Sequence, residues 1–254
     1  MIQMNKNRII CLLCLVFLLT GCHNNMLPSI SDLTSNLNTI GSSSVPSIDN
    51  SIPKELLEFM EKNPEAKDYV LNYLEKKDID SAIDLSNLLD SSSVPLLIQW
   101  DERWGYTEYA GELFGLSGCG PTCLSMVCVY LMNDAKYSPR YIAEFATENG
   151  YSVPGNGSSW TLISEGGVQL GVDITEIPLD ENRIIRNLEV GNPIICVMGP
   201  GFFTTTGHYI VMTEYKDGYV KVNDPNSPNR SEQTWKLTEV MDQIRNLWVC
   251  RYFG

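Results

Sequence analysis

The chain has 254 residues, 43% of them hydrophobic and 19% charged, with a formal net charge of −13. That balance suits a globular protein with a real core and excludes a disordered one. An acidic surface of this kind repels phosphate backbones, so no nucleic-acid partner is expected.

At the N-terminus Lys6 and Arg8 precede an apolar run from Ile9 to Leu19. The run has the length of a signal-peptide core and falls short of the about 20 residues that span a bilayer. It ends in Leu19-Thr20-Gly21-Cys22, which resembles the lipobox of bacterial lipoproteins. The resemblance implies a signal peptide over residues 1–21, lipid on the Cys22 sulfur, and a protein held at the cell membrane, outside the cytoplasm. A plain signal peptide or a short anchor is the alternative. Residues 22–52 are rich in Ser, Asn and Thr with almost no aromatic content, and read as a flexible tether.

Residues 53–93 form a helical accessory segment. Leu56, Leu57 and Met60 recur at helical spacing, and after Pro64 so do Tyr69, Val70, Tyr73 and Leu74. A third short helix is expected over residues 79–89, and residues 91–93 form a joint. The sequence leaves open whether this segment is an accessory layer, a docking surface or part of the main domain.

From residue 94 to 254 the pattern is α+β. A short strand is expected over 94–99. A helix over 121–132 carries the apolar stripe Leu124, Val127, Cys128 and Leu131, and Ser138-Pro139 starts another that runs to about residue 148. Further helices are expected over 161–170 and 181–188, and a buried strand over 193–198. Residues 208–215 and 219–223 form a hairpin around Lys216-Asp217-Gly218. Helices first and strands later suit α+β better than a wound parallel sheet.

After export the domain keeps Cys119, Cys123, Cys128, Cys196 and Cys250, an odd number in an oxidising compartment, which suggests a reactive thiol. Cys11 and Cys14 leave with the signal; with no CxxC pair in the remainder and only His23 and His208 to join cysteines, neither a metal site nor a cofactor is expected. Within Gly118-Cys119-Gly120-Pro121-Thr122, the cysteine sits at a helix mouth, where free N–H groups and the dipole favour thiolate. Its flanking glycines would let a substrate carbonyl approach the backbone closely. Cys123 and Cys128 read as buried small hydrophobes.

A nucleophilic cysteine needs a base. His23 lies in the tether, so His208 remains. Its other nitrogen needs an orienting acceptor. A three-residue loop at Lys216-Asp217-Gly218 would pair Tyr215 with Tyr219, hence Ile210 with Asp224, setting His208 and Asp224 on one face. A two-residue loop would put Asp224 on the opposite face. The Cys119 N–H and the Gln99 side chain are candidate oxyanion donors. Trp104, Trp160, Phe202 and Phe203 are candidates to line a groove or to pack the core.

From about Leu96 onward, the sequence resembles the papain-like cysteine peptidases of the bacteriocin-leader-processing kind, in their exported stand-alone branch. The matching stretches, in order, are Gln99-Trp100-Asp101 with Trp104-Gly105, Ser117-Gly118-Cys119-Gly120-Pro121-Thr122, Gly157-Ser158-Ser159-Trp160, Gly191-Asn192-Pro193-Ile194, Gly207-His208-Tyr209-Ile210-Val211 and Asn223-Asp224-Pro225-Asn226. Lys62-Asn63-Pro64-Glu65 also resembles a segment that often precedes such domains. The resemblance implies a papain-like fold, with Cys119 as nucleophile, His208 as general base and acid, Asp224 as its orienter and Gln99 as oxyanion donor.

The resemblance has departures. Leader-processing enzymes are fused to an ABC transporter that this chain does not carry, so leader processing is not carried over. The glutamine also lies further before the cysteine than usual, and the insert up to about Leu116 is a candidate cleft wall. The expected reaction is hydrolysis of a peptide bond through a thioester. A cell-wall endopeptidase, an acyltransferase and a non-catalytic peptide-binding module on the same fold are the alternatives. The expected partners are a peptide or protein substrate and, through Cys22, the membrane.

Overall fold

The computed structural model describes residues 51–253. The signal segment, Cys22, His23 and all but the end of the expected tether lie outside the described residues. Among the described residues no helix is long and apolar enough to cross a membrane.

The architecture is α+β. Strands β1 (Asp173–Glu176), β2 (Ile194–Met198), β3 (His208–Lys216), β4 (Tyr219–Asn223), β5 (Thr234–Lys236) and β6 (Ile244–Arg251) form one sheet in the order β1-β6-β2-β3-β4-β5. Every neighbouring pair is antiparallel. The principal helices are α1 (Lys54–Lys62), α2 (Cys119–Met132), α3 (Pro139–Glu148) and α4 (Glu181–Glu189). Ser138 and Asp180 cap α3 and α4 by accepting from Tyr141 N–H at 3.2 Å and Arg183 N–H at 2.8 Å.

The alternation of side chains along β2 divides the core. Ile195 and Val197 join Val211, Trp248 and the α2–α3 residues Val127 and Ile142 in one cluster. Ile194, Cys196 and Met198 join Ile210, Met212 and the α4 residues Ile184 and Leu188 in the other. Both faces of β2 are therefore covered, and its five residues are all buried.

Some expected elements differ. Residues 94–99 form no strand: Pro95 has no N–H to give, and Gln99 N–H bonds instead to Pro225 O at 2.8 Å. Residues 79–89 form no α-helix. Asp84 Oδ1 takes the Ser86 N–H at 2.8 Å, and only a 3₁₀ turn follows at Ser86–Leu88; short polar side chains here compete with the helix for the backbone. The helix expected over 161–170 is a π-turn at Leu162–Gly166 running into Gly167–Gln169. Helix α2 starts at Cys119, before the expected residue 121.

The hairpin departs from expectation in a way that matters. Its loop has two residues, Asp217 and Gly218, both at positive φ (50° and 89°), so Lys216 pairs with Tyr219. Unbroken, that register would put Asp224 on the wrong face. A bulge between Met212 and Glu214 shifts it back, so that Val211 pairs with Asn223. The next position sets Ile210 beside Asp224, as a three-residue loop would have done.

The accessory segment belongs to the same packed body as the sheet domain. Ile52, Leu56, Tyr69 and Val70 cluster with Tyr106 of the main chain segment. Tyr69 stacks on Tyr106 with ring centroids 4.6 Å apart and donates its hydroxyl to Gly105 O at 2.7 Å. Tyr106 returns a bond to Tyr69 O at 2.6 Å.

Candidate active site

Cys119 is the first residue of α2, after a helical turn at Phe114–Ser117 and the linking Gly118. Its two glycine neighbours are required by packing. A Cβ on Gly118 would lie 2.5 Å from the Phe114 ring, and one on Gly120 would lie 2.6 Å from Ser158 Oγ and 2.8 Å from Ser158 Cβ. The glycines thus seat the start of α2 against two walls, where the sequence had suggested room for a substrate.

His208 opens β3 and is 8% exposed. Its Nε2–H donates to Asp224 Oδ1 at 2.8 Å, and its ring also hydrogen-bonds the Cys119 sulfur. Asp224 is fully buried just past β4. Its carboxylate also accepts from Asn226 N–H at 2.8 Å and from Arg230 Nε at 2.6 Å. Arg230 sits on the short helix α5 (Pro228–Glu232), capped by Ser227, whose Oγ accepts from Arg230 N–H at 3.0 Å.

The electrostatics follow from these contacts. Burial pushes the Cys119 thiol up, but the hydrogen bond and charge of His208, with the Tyr209 and Gly120 N–H groups, bring it below the ordinary thiol value. Burial likewise opposes a charged His208; the Asp224 carboxylate and Cys119 outweigh it and raise the imidazole to about 10. Asp224 is lowered, burial being overcome by His208 and Arg230. Together these directions favour a thiolate beside an imidazolium. The other free thiols among the described residues, Cys123, Cys128, Cys196 and Cys250, are buried and raised by that burial.

A cleft of about 500 Å³ opens onto Cys119 and His208. One wall comes from the insert before the cysteine, through Glu112 and Leu116; Gly157, Ser158 and Trp160 form another. The two are tied together by Gly155 N–H donating to Ala110 O at 2.9 Å. Gly157 is obligatory there, with φ of 72° and Ser117 O only 3.0 Å from where a Cβ would be. Of the four aromatic candidates, Trp160 alone is among the lining residues. Trp104 and Phe203 are core, and Phe202 stacks on Trp235 at 5.3 Å.

Gln99 is 2% exposed and does not line the cleft. Its Nε2 donates to Gly115 O at 2.8 Å, while its Oε1 has no partner. Among the described residues no group of three or more His, Cys, Asp or Glu side chains is arranged to hold a metal ion.

Sequence reasoning missed Arg230 and the Ser227 cap. Ser-Pro before a short polar run is a helix-start signal that could have found α5, but nothing local aims the arginine at Asp224.

The model of the peptidase C39-like family matches residues 91–252. Among solved structures, the peptidase domain of Streptococcus ComA, described as a bi-functional ABC transporter involved in a quorum-sensing pathway, is similar at 17% identity and TM-score 0.46, with 63% of this chain and 99% of that one covered. A putative C39-like peptidase from Bacillus anthracis is similar at 14% identity and TM-score 0.43, covering 69% and 100%. The Streptococcus mutans ComA peptidase domain, in complex with a small-molecule inhibitor, is similar at 14% identity and TM-score 0.37, covering 61% and 96%. No curated protein matches the chain. With the family model spanning most of its length, the chain belongs to the peptidase C39-like family and has the α+β papain-like cysteine peptidase fold.

Proposed function

We propose that the protein is a cysteine peptidase that hydrolyses a peptide bond through a thioester. The observation that carries this reading is the buried His208–Asp224 bond of 2.8 Å, with Cys119 hydrogen-bonded to the same imidazole. The Cys119 thiolate attacks the substrate carbonyl, forming the C–S bond as the carbonyl electrons move to oxygen. The resulting oxyanion is met by the N–H of Cys119, which as the first residue of a helix has no intrahelical acceptor. Gln99 gives its amide N–H to Gly115 O and does not line the cleft, so the backbone donor is the one proposed here. His208 gives its proton to the leaving amine, then takes one from the water that cleaves the thioester. Asp224 keeps the Nε2 proton in place, so that Nδ1 is the nitrogen that exchanges protons at the sulfur.

The Leu19–Cys22 motif and the Ser/Asn-rich stretch after it support export, with a lipid anchor at Cys22 and the domain displayed on a tether outside the cytoplasm.

The test is the rate of Cys119 alkylation against pH, read by mass spectrometry in the reduced full chain and in His208→Ala. Labelling that persists well below the ordinary thiol pKa of about 8.5, and is lost in the variant, is the expected result. An ordinary thiol profile in both proteins would remove the enzyme reading.

A further inference from the structure

The turn that carries Asp224 is gripped from outside the sheet domain. Asn63 Nδ2 donates to Asn226 O at 2.9 Å and to Asn226 Oδ1 at 3.0 Å. Glu65 accepts the Ser227 hydroxyl at 2.5 Å on one oxygen and the Asn229 N–H at 2.8 Å on the other. Pro64, which opens a 3₁₀ turn at Pro64–Ala66, fixes the backbone between the two gripping side chains. Trp100 Nε1 adds a bond to the same Asn226 O at 3.3 Å.

These contacts reach the charged site through a continuous series of hydrogen bonds. Glu65 bonds Ser227, whose Oγ takes the Arg230 N–H and caps α5. Arg230 in turn holds Asp224 Oδ2, and Asp224 Oδ1 holds His208. Ser227 N–H also bonds Asp224 O at 3.1 Å. Apolar docking of the segment is handled elsewhere, by Leu56, Tyr69 and Val70. The Asn63 and Glu65 bonds therefore add nothing to apolar burial; what they fix is the backbone from 226 to 229 and the orientation of Ser227.

We propose that Asn63 and Glu65 are positioning residues of the active site: they hold the 224–230 turn so that Arg230 and Asp224 present the carboxylate to His208. Asn63 and Glu65 precede the span matched by the family model, and the accessory segment is on this view a working part of the enzyme. The proposal rests on the peptidase reading.

The test uses the full chain with Glu65→Ala, Glu65→Ala/Ser227→Ala, Ser227→Ala and Asn63→Ala, beside wild type and His208→Ala. Three things are read: the pH profile of Cys119 alkylation by an uncharged reagent, the melting temperature, and turnover of a cleavable peptide chosen with wild type. If wild type itself shows an ordinary thiol, the peptidase reading fails, and this inference falls with it. With an activated thiol in wild type, Glu65→Ala is expected to move the acid limb towards that of His208→Ala. It should also lower kcat by on the order of tenfold or more, with KM little changed, as misplacement of a catalytic group does. The Glu65 and Ser227 substitutions should be non-additive, since both break one series of bonds. A wild-type pH profile and kcat in Glu65→Ala and Asn63→Ala would overturn the proposal, even if both melt lower, because that outcome assigns the bonds to stability alone.

Discussion

Replacing Asp224 by Asn tests the site sharply, because the carboxylate is asked to be an acceptor on every side. It takes bonds from His208, Asn226 N–H and Arg230 Nε. An asparagine that keeps its oxygen on His208 turns its NH₂ toward Arg230 Nε, donor against donor across 2.6 Å. Reversed, it turns the NH₂ toward His208, which must then offer a lone pair at Nε2 and carry its proton on the side of Cys119. Either way one charge-assisted bond is lost, about 1.5–3 kcal/mol. The Arg230 side chain is 27% exposed, and water recovers part of that, so about 2 kcal/mol is the expected destabilisation, or ~4–8 °C in melting for a domain of this size. The chemistry is affected too. Without the carboxylate's charge His208 loses what raises it and Cys119 loses part of what lowers it, so the thiolate fraction at pH 6 falls. Alkylation at pH 6, read by mass spectrometry, should slow accordingly. Adding Arg230→Leu removes the opposed donor, and the double variant should melt higher than Asp224→Asn alone. Wild-type labelling at pH 6 in Asp224→Asn, or a double variant that melts no higher, would refute the reasoning.

The remaining predictions concern pH, packing and register. His208 is raised to about 10, so the stability it lends is full below its unfolded value of about 6.5 and lost as pH climbs through about 10. Cys119 is lowered, so its share is present above the ordinary thiol value and lost as pH falls through the depressed one; melts of wild type and His208→Ala across pH should diverge most between these limits. Turnover should show its alkaline limb near pH 10, and an alkaline limb near 7 would contradict the raised imidazole. Gly120→Ala pushes a methyl into Ser158, which holds the Tyr109 hydroxyl at 2.7 Å, and should cost ~1–3 kcal/mol in denaturant unfolding. Deleting Thr213, the residue at the bulge, makes the Met212–Val222 and Glu214–Lys221 pairs consecutive and keeps Val211 opposite Asn223, so far-UV dichroism and low-pH labelling of Cys119 should both stay close to wild type. Loss of low-pH labelling would show that the bulge itself, and not the pairing it leaves behind, places His208.

Much of the site was legible because its chemistry is sparse. One histidine outside the tether, and one cysteine at a Gly-flanked helix start, left few pairings to consider. Cys119, His208 and Asp224 do lie in contact. The α+β class followed from helices α2 to α4 and the hairpin, each with clear periodicity or caps. What escaped notice depends on distant parts of the chain. Strand β6 has four buried residues in succession, Leu247 to Cys250, and no period-two alternation to mark it, because both its faces are covered. The hairpin register was reached through the wrong loop: the sequence could not show that a bulge would offset a two-residue turn. Gln99 resembled a cleft residue by its place in a motif, yet its amide is turned inward to Gly115. Arg230 and Glu65 act on residues across the fold, and no local pattern reports such a partner.

The contact between Asn63 and Asn226 joins residues 163 apart in sequence, while the stretch that links the accessory segment to the sheet domain is largely exposed and irregular between residues 77 and 93. That stretch acts as the leash of a built-in ligand. While it is intact, the gripping residues meet their turn at the millimolar effective concentration of a short tether. A single cut in it would leave every contact chemically possible but make the grip bimolecular, held by the apolar cluster around Tyr69 and Tyr106, the Asn63 and Glu65 bonds, and the contacts of Asn72 and Lys76 with Glu102. At high dilution the two pieces part. Proteolysis at a loop remote from Cys119 would then work as an off-switch, and supplying the severed segment in excess would work as its antidote.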